Sequence, residues 1–310
     1  MNNGQIPLPN PKNRWPAQRY VMFLMESPSN DQFPYEKFAN YFNWTMTYRR
    51  DSDFHRPYGW VAPKNWTWHY AASGKPDTDW SQFVIPKSLQ LKNVTNKKPI
   101  AWMVSNCHTK SQREKYVQEL SKHIQVDVYG HCGTHQCPDD SKCSEFIQDN
   151  YMFYLSFENS VCQDYVTEKF WTYLSGKLIP IVLGGADYKK VSPPHSYINA
   201  LDYPNPKELA GHLNYLLSNV TAYSEYFEWV PYFNVYGTED ANYAHTMCQL
   251  CEALNNQSST SSHSYENIHD WWRIQGKCQT RFPWGVNSIV QHFESWKDVL
   301  WESASSVLSG

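Results

Sequence analysis

The clearest change of hydrophobic period along the chain lies between Tyr151 and Gly185. Two apolar, β-rich runs, Tyr151–Phe157 (YMFYLSF) and Leu178–Leu183 (LIPIVL), flank a segment whose spacing turns helical near Asp164–Lys169. That order predicts a strand–helix–strand unit. A second such unit lies upstream: Ile100–Ser105 predicts a buried strand, Ser111–His123 an amphipathic helix, and Gln125–Tyr129 a strand closed by Gly130. The cysteine-rich segment Cys132–Cys143 separates the two. Further on, Lys207–Ser218 places Leu209, Leu213, Leu216 and Leu217 on one helical face, and His245–Leu254 predicts another helix. Near the start, Arg19–Met25 is a β-like run, and Pro28 bars its continuation, so Glu26 falls at a strand end facing a loop. Met1–Arg19 is an irregular lead-in. From Asn43 to Trp80 aromatics alternate with Pro, Gly and Asp, which predicts long loops, and Asn255–His263 predicts a flexible polar loop. No repeat recurs at solenoid periods. The pattern predicts an α/β protein with parallel sheets in two Rossmann-like domains facing a central cleft. The expected division is an N-terminal domain over residues 1–148, with 1–19 as lead-in, and a C-terminal domain over 149–310.

Length supports that division, since 310 residues suit two domains of about 150 each. Net charge is −3, and no basic stretch exceeds a pair such as Arg49-Arg50 or Lys97-Lys98, which argues against nucleic acid as a partner. The 14 Trp and 22 Tyr serve cores and also sugar-stacking surfaces, and composition does not separate these uses. Trp44, Trp60, Trp66 and Trp68 are the aromatic positions of the loops most available for stacking. Eight cysteines are present, and Cys248-Gln-Leu-Cys251 with Cys278 would suit zinc or redox chemistry, but no second CxxC exists for a four-cysteine site. Five sequons (Asn43, Asn65, Asn93, Asn219, Asn256) tilt the balance to disulfides in an oxidising compartment. No run of 18 apolar residues occurs and the N-terminus lacks a signal-peptide pattern, so a targeting or anchor segment is expected upstream.

Four groups could carry chemistry. Asp51-Ser-Asp53, with a similar Asp77-Thr-Asp79, would suit a divalent cation, although Arg49 and Arg50 stand ready to pair with the first. Arg113, near the start of a helix, offers a fork for phosphate oxygens or is an ordinary surface arginine. Asn159, Tyr165, Glu168 and Lys169 put an amide, a phenol, a carboxylate and an ammonium at one helix entrance. Lys169 opposes the helix dipole there, as a functional cation or as a solvated surface lysine. Glu26 is set apart by its strand-end position alone. The chain has no GxGxxG after a strand, no GxxxxGK[ST], no GxSxG and no HExxH.

Phe157–Lys169 (FENSVCQDYVTEK) followed by Ile179–Gly185 (IPIVLGG) resembles the signature of the α1,3-fucosyltransferases, glycosyltransferase family ten. Asn43–Gly59 (NWTMTYRRDSDFHRPYG), Met25–Ser29 (MESPS), the VSNC loop with Arg113, and Val126–Gly130 (VDVYG) resemble further blocks of that family, in its order. The resemblance covers roughly residues 20 to 255 and is invertebrate-like in character. It implies a GT-B fold and inverting transfer of L-fucose from GDP-fucose to the 3-hydroxyl of GlcNAc, in the core or on LacNAc or LacdiNAc antennae of N-glycans. It implies Glu26 as general base, and Arg113 and Lys169 as a pyrophosphate clamp that needs no obligatory metal, with Mn²⁺ stimulation possible. Asn159, Tyr165 and Glu168 would contact donor ribose, phosphate or fucose, and Ser105, Asn106 and Tyr129 would line the nucleotide pocket. It further implies a type II protein of the Golgi lumen, attached to the membrane only through an anchor outside this sequence. Human members tie their C-terminal CxxC to cysteines near the start of the catalytic domain. This chain has none before Cys107, so Cys278 is the expected partner of Cys248 or Cys251. The readings to set against this one are a DxD metal-dependent transferase and a lectin-like glycan-binding module.

Overall fold

The computed structural model describes residues 10–15, 17–64, 96–174, 177–237, 242–255 and 264–279. Two parallel sheets organise them. The first holds β1 (Val21–Leu24), β2 (Trp44–Thr47) and β3 (Phe54–His55) in that order, with Val21 opposite Trp44 and Met46 opposite Phe54. The second holds β5 (Lys98–Met103), β6 (Val126–Tyr129), β7 (Tyr151–Phe157), β8 (Ile179–Leu183) and β9 (Ile198–Asn199) in the order β6-β5-β7-β8-β9. Between them, β4 (Trp60–Pro63) pairs antiparallel with β10 (Phe233–Tyr236).

All seven residues of β7 are buried, as a parallel strand covered on both faces requires. On one face Phe153, Leu155 and Phe157 meet α1 (Arg113–Leu120), α5 (Pro206–Ser218) and α6 (Val220–Glu225) through Tyr116, Leu120, Leu209, Leu213 and Tyr223. On the other, Tyr154 packs with Ile147 of α2 (Cys143–Asn150), and Val182 with Phe170 and Trp171 of α3 (Glu168–Trp171). Helix α5 starts where its caps dictate: Asn205 Oδ1 accepts the Glu208 N–H at 3.0 Å and Pro206 occupies the first turn. The remaining helices are α4 (Tyr188–Val191) and α7 (Asn242–Asn255).

Several expectations shift. The helix predicted over Ser111–His123 begins at Arg113, because Gln112 is left-handed at φ 54°. Asp164, at φ 61°, likewise keeps the chain irregular until Glu168, so Lys169 sits in a helix of only four residues. The strands β2, β3 and β4 lie within the stretch predicted as loops; residues 65–80 of it, with Trp66, Trp68 and Asp77–Asp79, fall outside the described residues. The sheets do not follow the 148/149 division: β5 and β6 hydrogen-bond into the same sheet as β7, so the first sheet ends at His55 and the second begins at Lys98. Residues 264–279 then return to the first half, where Ile268, Trp271 and Trp272 complete a core with Tyr20, Met22, Tyr41 and Tyr48. No helix among the described residues is long and apolar enough to cross a membrane.

Three disulfides join Cys107 to Cys132, Cys137 to Cys143 and Cys162 to Cys278. The pairing expected for Cys278 is therefore corrected: its partner is Cys162 of the FENSVCQDY segment, while Cys248 and Cys251 are exposed thiols on α7. The Cys162–Cys278 bond spans 116 residues and closes off much of the unfolded chain's freedom. Cys278→Ser should lower the unfolding free energy by roughly 2–5 kcal/mol in urea titrations, whereas Cys248→Ser should change it by less than about 0.5 kcal/mol.

A polar group inside the second sheet yields another test. Asp127, 5% exposed, accepts hydrogen bonds from Tyr151 Oη (2.6 Å), Gln125 Nε2 (2.8 Å) and Lys98 Nζ (2.9 Å). Burial alone would raise its pKa, but these donors outweigh burial and hold it at about 2, below the ordinary 3.8. A carboxyl depressed on folding stabilises the protein above its unfolded pKa, and that increment is lost as pH falls toward the folded value. Between about pH 5 and pH 2 the wild-type protein should lose ~2 kcal/mol more stability than Asp127→Asn. Equal losses in the two proteins would mean the network does not carry the effect.

Candidate active site

In the second sheet the strand order reverses between β5 and β7: the chain leaves β5 for β6 on one side, then crosses to β7 on the other. Ligands of open parallel sheets bind outside the carboxyl ends of the strands at such a point. The residues after β5 are Val104, Ser105 and Asn106, and those after β7 are Glu158, Asn159 and Ser160. Ser105 and Asn106 are exposed at this rim. Glu158 and Ser160 are fully buried. Ser111 ties the second turn down, its N–H donating to the Asn159 carbonyl at 3.1 Å and its hydroxyl to the Glu158 carbonyl at 2.7 Å.

Arg113 opens α1 directly beside this turn. It is only 3% exposed, so it is not a surface arginine. Its Nη1 donates to the Phe157 carbonyl, and among the described residues neither its Nε nor the buried Asn159 Oδ1 has a hydrogen-bond partner. Burial lowers the Arg113 pKa from its ordinary value, with Glu158 pulling the other way. Neutral arginine is nevertheless inaccessible in proteins, so the guanidinium remains a cation.

Lys169 stands on the opposite side of the same turn, 21% exposed rather than solvated. Its Nζ donates to Thr167 Oγ1 at 2.8 Å and Glu168 Oε1 at 2.9 Å, and lies 3.7 Å from Glu158 Oε2. Burial would pull its pKa down, but Glu158 and Glu168 prevail and hold the ammonium above the ordinary lysine value. Glu158 is the residue that sequence reasoning passed over. Its carboxylate accepts the Thr167 N–H at 2.8 Å and the Thr167 hydroxyl at 2.9 and 3.1 Å. Burial raises its pKa, opposed chiefly by Lys169. A charged side chain abutting an unbroken apolar strand was the available signal. Glu168 is 52% exposed and presents its carboxylate outward.

Glu26 lies just beyond β1, and its loop is fastened to the β7 turn. Ser27 and Ser29 each donate a hydroxyl to Ser160 Oγ at 2.8 Å, and Tyr165 Oη donates to Glu26 Oε1 at 2.7 Å. Thus Glu26, Arg113, Asn159, Tyr165, Glu168 and Lys169 come from one contiguous neighbourhood although 143 positions separate the first from the last. Tyr129 differs: it is 3% exposed and its hydroxyl bonds to Tyr151 Oη at 2.7 Å, so that group is turned into the core instead of the rim.

The Asp51-Ser-Asp53 pair is otherwise engaged. Arg49 grips Asp51 through two nitrogens, and Asp53 Oδ2 accepts from Thr45 N (2.8 Å), Thr45 Oγ1 (2.9 Å) and Tyr265 Oη (2.8 Å). A cation there would have to displace these donors.

Two family models match the chain: "Glycosyltransferase family 10 (fucosyltransferase) C-term" over residues 93–271 and "Fucosyltransferase, N-terminal" over residues 1–59. The chain is 36% identical over 276 residues to α-(1,3)-fucosyltransferase C of Drosophila melanogaster, covering 88% of this chain and 64% of that protein. It is 34% identical over 290 residues to glycoprotein 3-α-L-fucosyltransferase A of the same organism, covering 92% and 52% respectively. The chain thus spans about half to two thirds of the length of these relatives. A solved structure of an α1,3-fucosyltransferase with GDP-fucose superposes with a TM-score of 0.51 at 20% identity, over 82% of this chain and 78% of that one, which establishes the shared GT-B fold. On the length of the family match and the identity to these relatives, the chain belongs to glycosyltransferase family 10, the fucosyltransferases.

Proposed function

We propose that this chain is the catalytic part of an α1,3-fucosyltransferase that moves L-fucose from GDP-fucose to the 3-hydroxyl of GlcNAc in N-glycans, with inversion at fucose C1. The carrying observation is the fastened pair of loops, which ties Glu26, whose Oε2 has no partner among the described residues, to the turn that Arg113 and Lys169 flank at the carboxyl end of the second sheet. Names of the Drosophila relatives, an α-(1,3)-fucosyltransferase and a glycoprotein 3-α-L-fucosyltransferase, support the linkage and the acceptor class. Three disulfides support passage through an oxidising compartment, here the Golgi lumen, where the enzyme would be held as a type II membrane protein. The chain divides, in this reading, into an acceptor-side unit built on the first sheet and a GDP-fucose-binding unit built on the second.

In this mechanism Glu26 takes the proton from the acceptor hydroxyl as that oxygen bonds to C1 from the face opposite GDP. The C1–phosphate oxygen bond breaks and its electron pair leaves with GDP. A positioned general base supplies about 10²–10⁴-fold. Negative charge grows on the departing pyrophosphate, and Arg113 and Lys169, fixed in a largely dry site, favour that state over the intact donor. Donor binding replaces the Glu168 and Thr167 contacts of Lys169 with phosphate oxygens. Asn159 Oδ1, buried and unpartnered, is an acceptor for a sugar hydroxyl, and Glu168 for the ribose hydroxyls. Ser105 and Asn106 offer a hydroxyl and an amide at the nucleotide rim. The occupied Asp51 and Asp53 favour this clamp over DxD metal binding as the means of neutralising phosphate, with divalent cations at most stimulatory.

Glu26→Gln should depress transfer by at least about 10²-fold while leaving GDP affinity within about twofold; near-normal turnover would remove Glu26 as the base. Arg113→Ala and Lys169→Ala should each weaken GDP binding by roughly tenfold or more, measured by calorimetry. Unchanged affinity in both would dispose of the clamp, and complete loss of activity in EDTA would favour the metal-dependent reading. Mass spectrometry of products from core GlcNAc, LacNAc and LacdiNAc acceptors with GDP-fucose tests the acceptor.

A further inference from the structure

The two oxygens of Glu26 are not equivalent. Oε1 accepts three hydrogen bonds, from Tyr165 Oη at 2.7 Å, the Ser27 N–H at 2.8 Å and Asn30 Nδ2 at 3.2 Å. Oε2 has no partner among the described residues. An oxygen carrying three donors has its lone pairs spent, so the other is the one left open to accept a hydrogen. Two of the donors belong to Glu26's own loop and would follow it wherever it moved. Tyr165 does not: it lies 139 residues further along, within the turn that follows β7.

That phenol is unusually well fixed for the task. Tyr165 is 2% exposed, with its ring at 4.9 Å from Tyr48 and 6.4 Å from Tyr58. Burial above all, then Glu158 and Glu26, raises its pKa far beyond the ordinary phenol range, so its hydroxyl is a permanent donor. The other titratable groups facing Glu26 are Tyr58 and Tyr48, both kept protonated foremost by burial. Tyr58 spends its proton on the Met25 carbonyl at 2.6 Å, which braces the residue before Glu26. No ion pair to Glu26 occurs among the described residues, so nothing but these neutral donors orients its carboxylate.

We propose that Tyr165 is the positioning residue of the catalytic base: by holding Oε1 from the opposite half of the molecule, it leaves Oε2 alone to receive the acceptor's proton. The inference rests on the reading of Glu26 as base. It also moves Tyr165 from the donor contact that the family resemblance implies to a part in activating the acceptor. During transfer the acceptor O–H proton passes to Oε2, the new O–C1 bond forms as the C1–phosphate bond breaks, and Tyr165 keeps its own proton throughout.

Tyr165→Phe tests this in the full-length enzyme, assayed with GDP-fucose and the core GlcNAc, LacNAc and LacdiNAc acceptors. The ring and its packing are kept and only the hydroxyl is lost. Transfer kcat should fall about 10- to 100-fold, the share of a charge-assisted hydrogen bond, while GDP affinity and the KM for GDP-fucose stay within about twofold. The loss should fall on kcat with the acceptor KM little changed, because the hydroxyl acts on the base in the proton-transfer step and not in holding either substrate. Asn30→Ala, which removes the longer bond to the same oxygen, should lower kcat in the same way by less. It serves as the readout if Tyr165→Phe fails to fold. An unchanged kcat, or a loss of GDP affinity matching the loss of kcat, would overturn the proposal. Glu26→Gln run alongside separates the two readings: an active Glu26→Gln enzyme removes the base itself, whereas an inactive one beside a normal Tyr165→Phe enzyme removes only the tether.

Discussion

A carboxylate with no exposed surface must be surrounded by donors or lose its charge, and Glu158 imposes that condition on everything near it. The Thr167 N–H and hydroxyl answer it, and in doing so they join the two ends of the 158–167 turn. Lys169 supplies the compensating charge and is thereby held at the sheet's edge. Four ties between the halves then start from within this closed turn: Ser160 to Ser27 and Ser29, Cys162 to Cys278, Asp164 to the Arg50 N–H, and Tyr165 to Glu26. Were the turn open, these four residues would have no fixed positions from which to reach across.

The same arrangement explains why the charges stay put in the absence of a donor. Arg113 and Lys169 repel one another, and Glu158 lies between them in effect, attracting both. It is itself held on four sides and so cannot swing out to neutralise either cation fully. Among the described residues, Nε of Arg113 and Oδ1 of Asn159 are buried polar atoms without hydrogen bonds, which costs stability as long as no partner is supplied. In the proposed mechanism, groups fixed in this way would need little rearrangement as charge develops on the phosphate.

How much of this was legible in the residues depended on range. Strand β7 and helix α5 announce themselves, one by a seven-residue run apolar at every position but Ser156 and the other by leucines on one face behind an Asn-Pro start. Strands β2 and β3 do not, because four- and two-residue parallel strands are set by partners far along the chain and leave no period of their own. The place of the sheet boundary was missed for the same reason: nothing in Lys98–Met103 says that it will pair with Tyr151–Tyr154. Burial of Arg113 was invisible because arginine is usually exposed, and the bland surface reading followed that habit. Glu158 could have been caught, since an acid set directly against an apolar strand must be either capped or misplaced. Cys278 could not, as its partner is chosen by the return of residues 264–279 to the first half.

That return has a consequence for how the protein comes into being. Tyr20, Met22, Tyr41 and Tyr48 emerge early from the ribosome, yet the aromatic face they form is sealed by Ile268, Trp271 and Trp272. Arg273 then grips the Pro28 and Phe33 carbonyls, and Cys278 oxidises onto Cys162. The first sheet's core is therefore completed by residues made long after its own strands. During translation the second sheet can assemble on local contacts, while the loop carrying Glu26 waits for a stretch some 240 residues downstream. A chain that lacked residues 264–279 would leave uncovered the aromatic face that Ile268, Trp271 and Trp272 close.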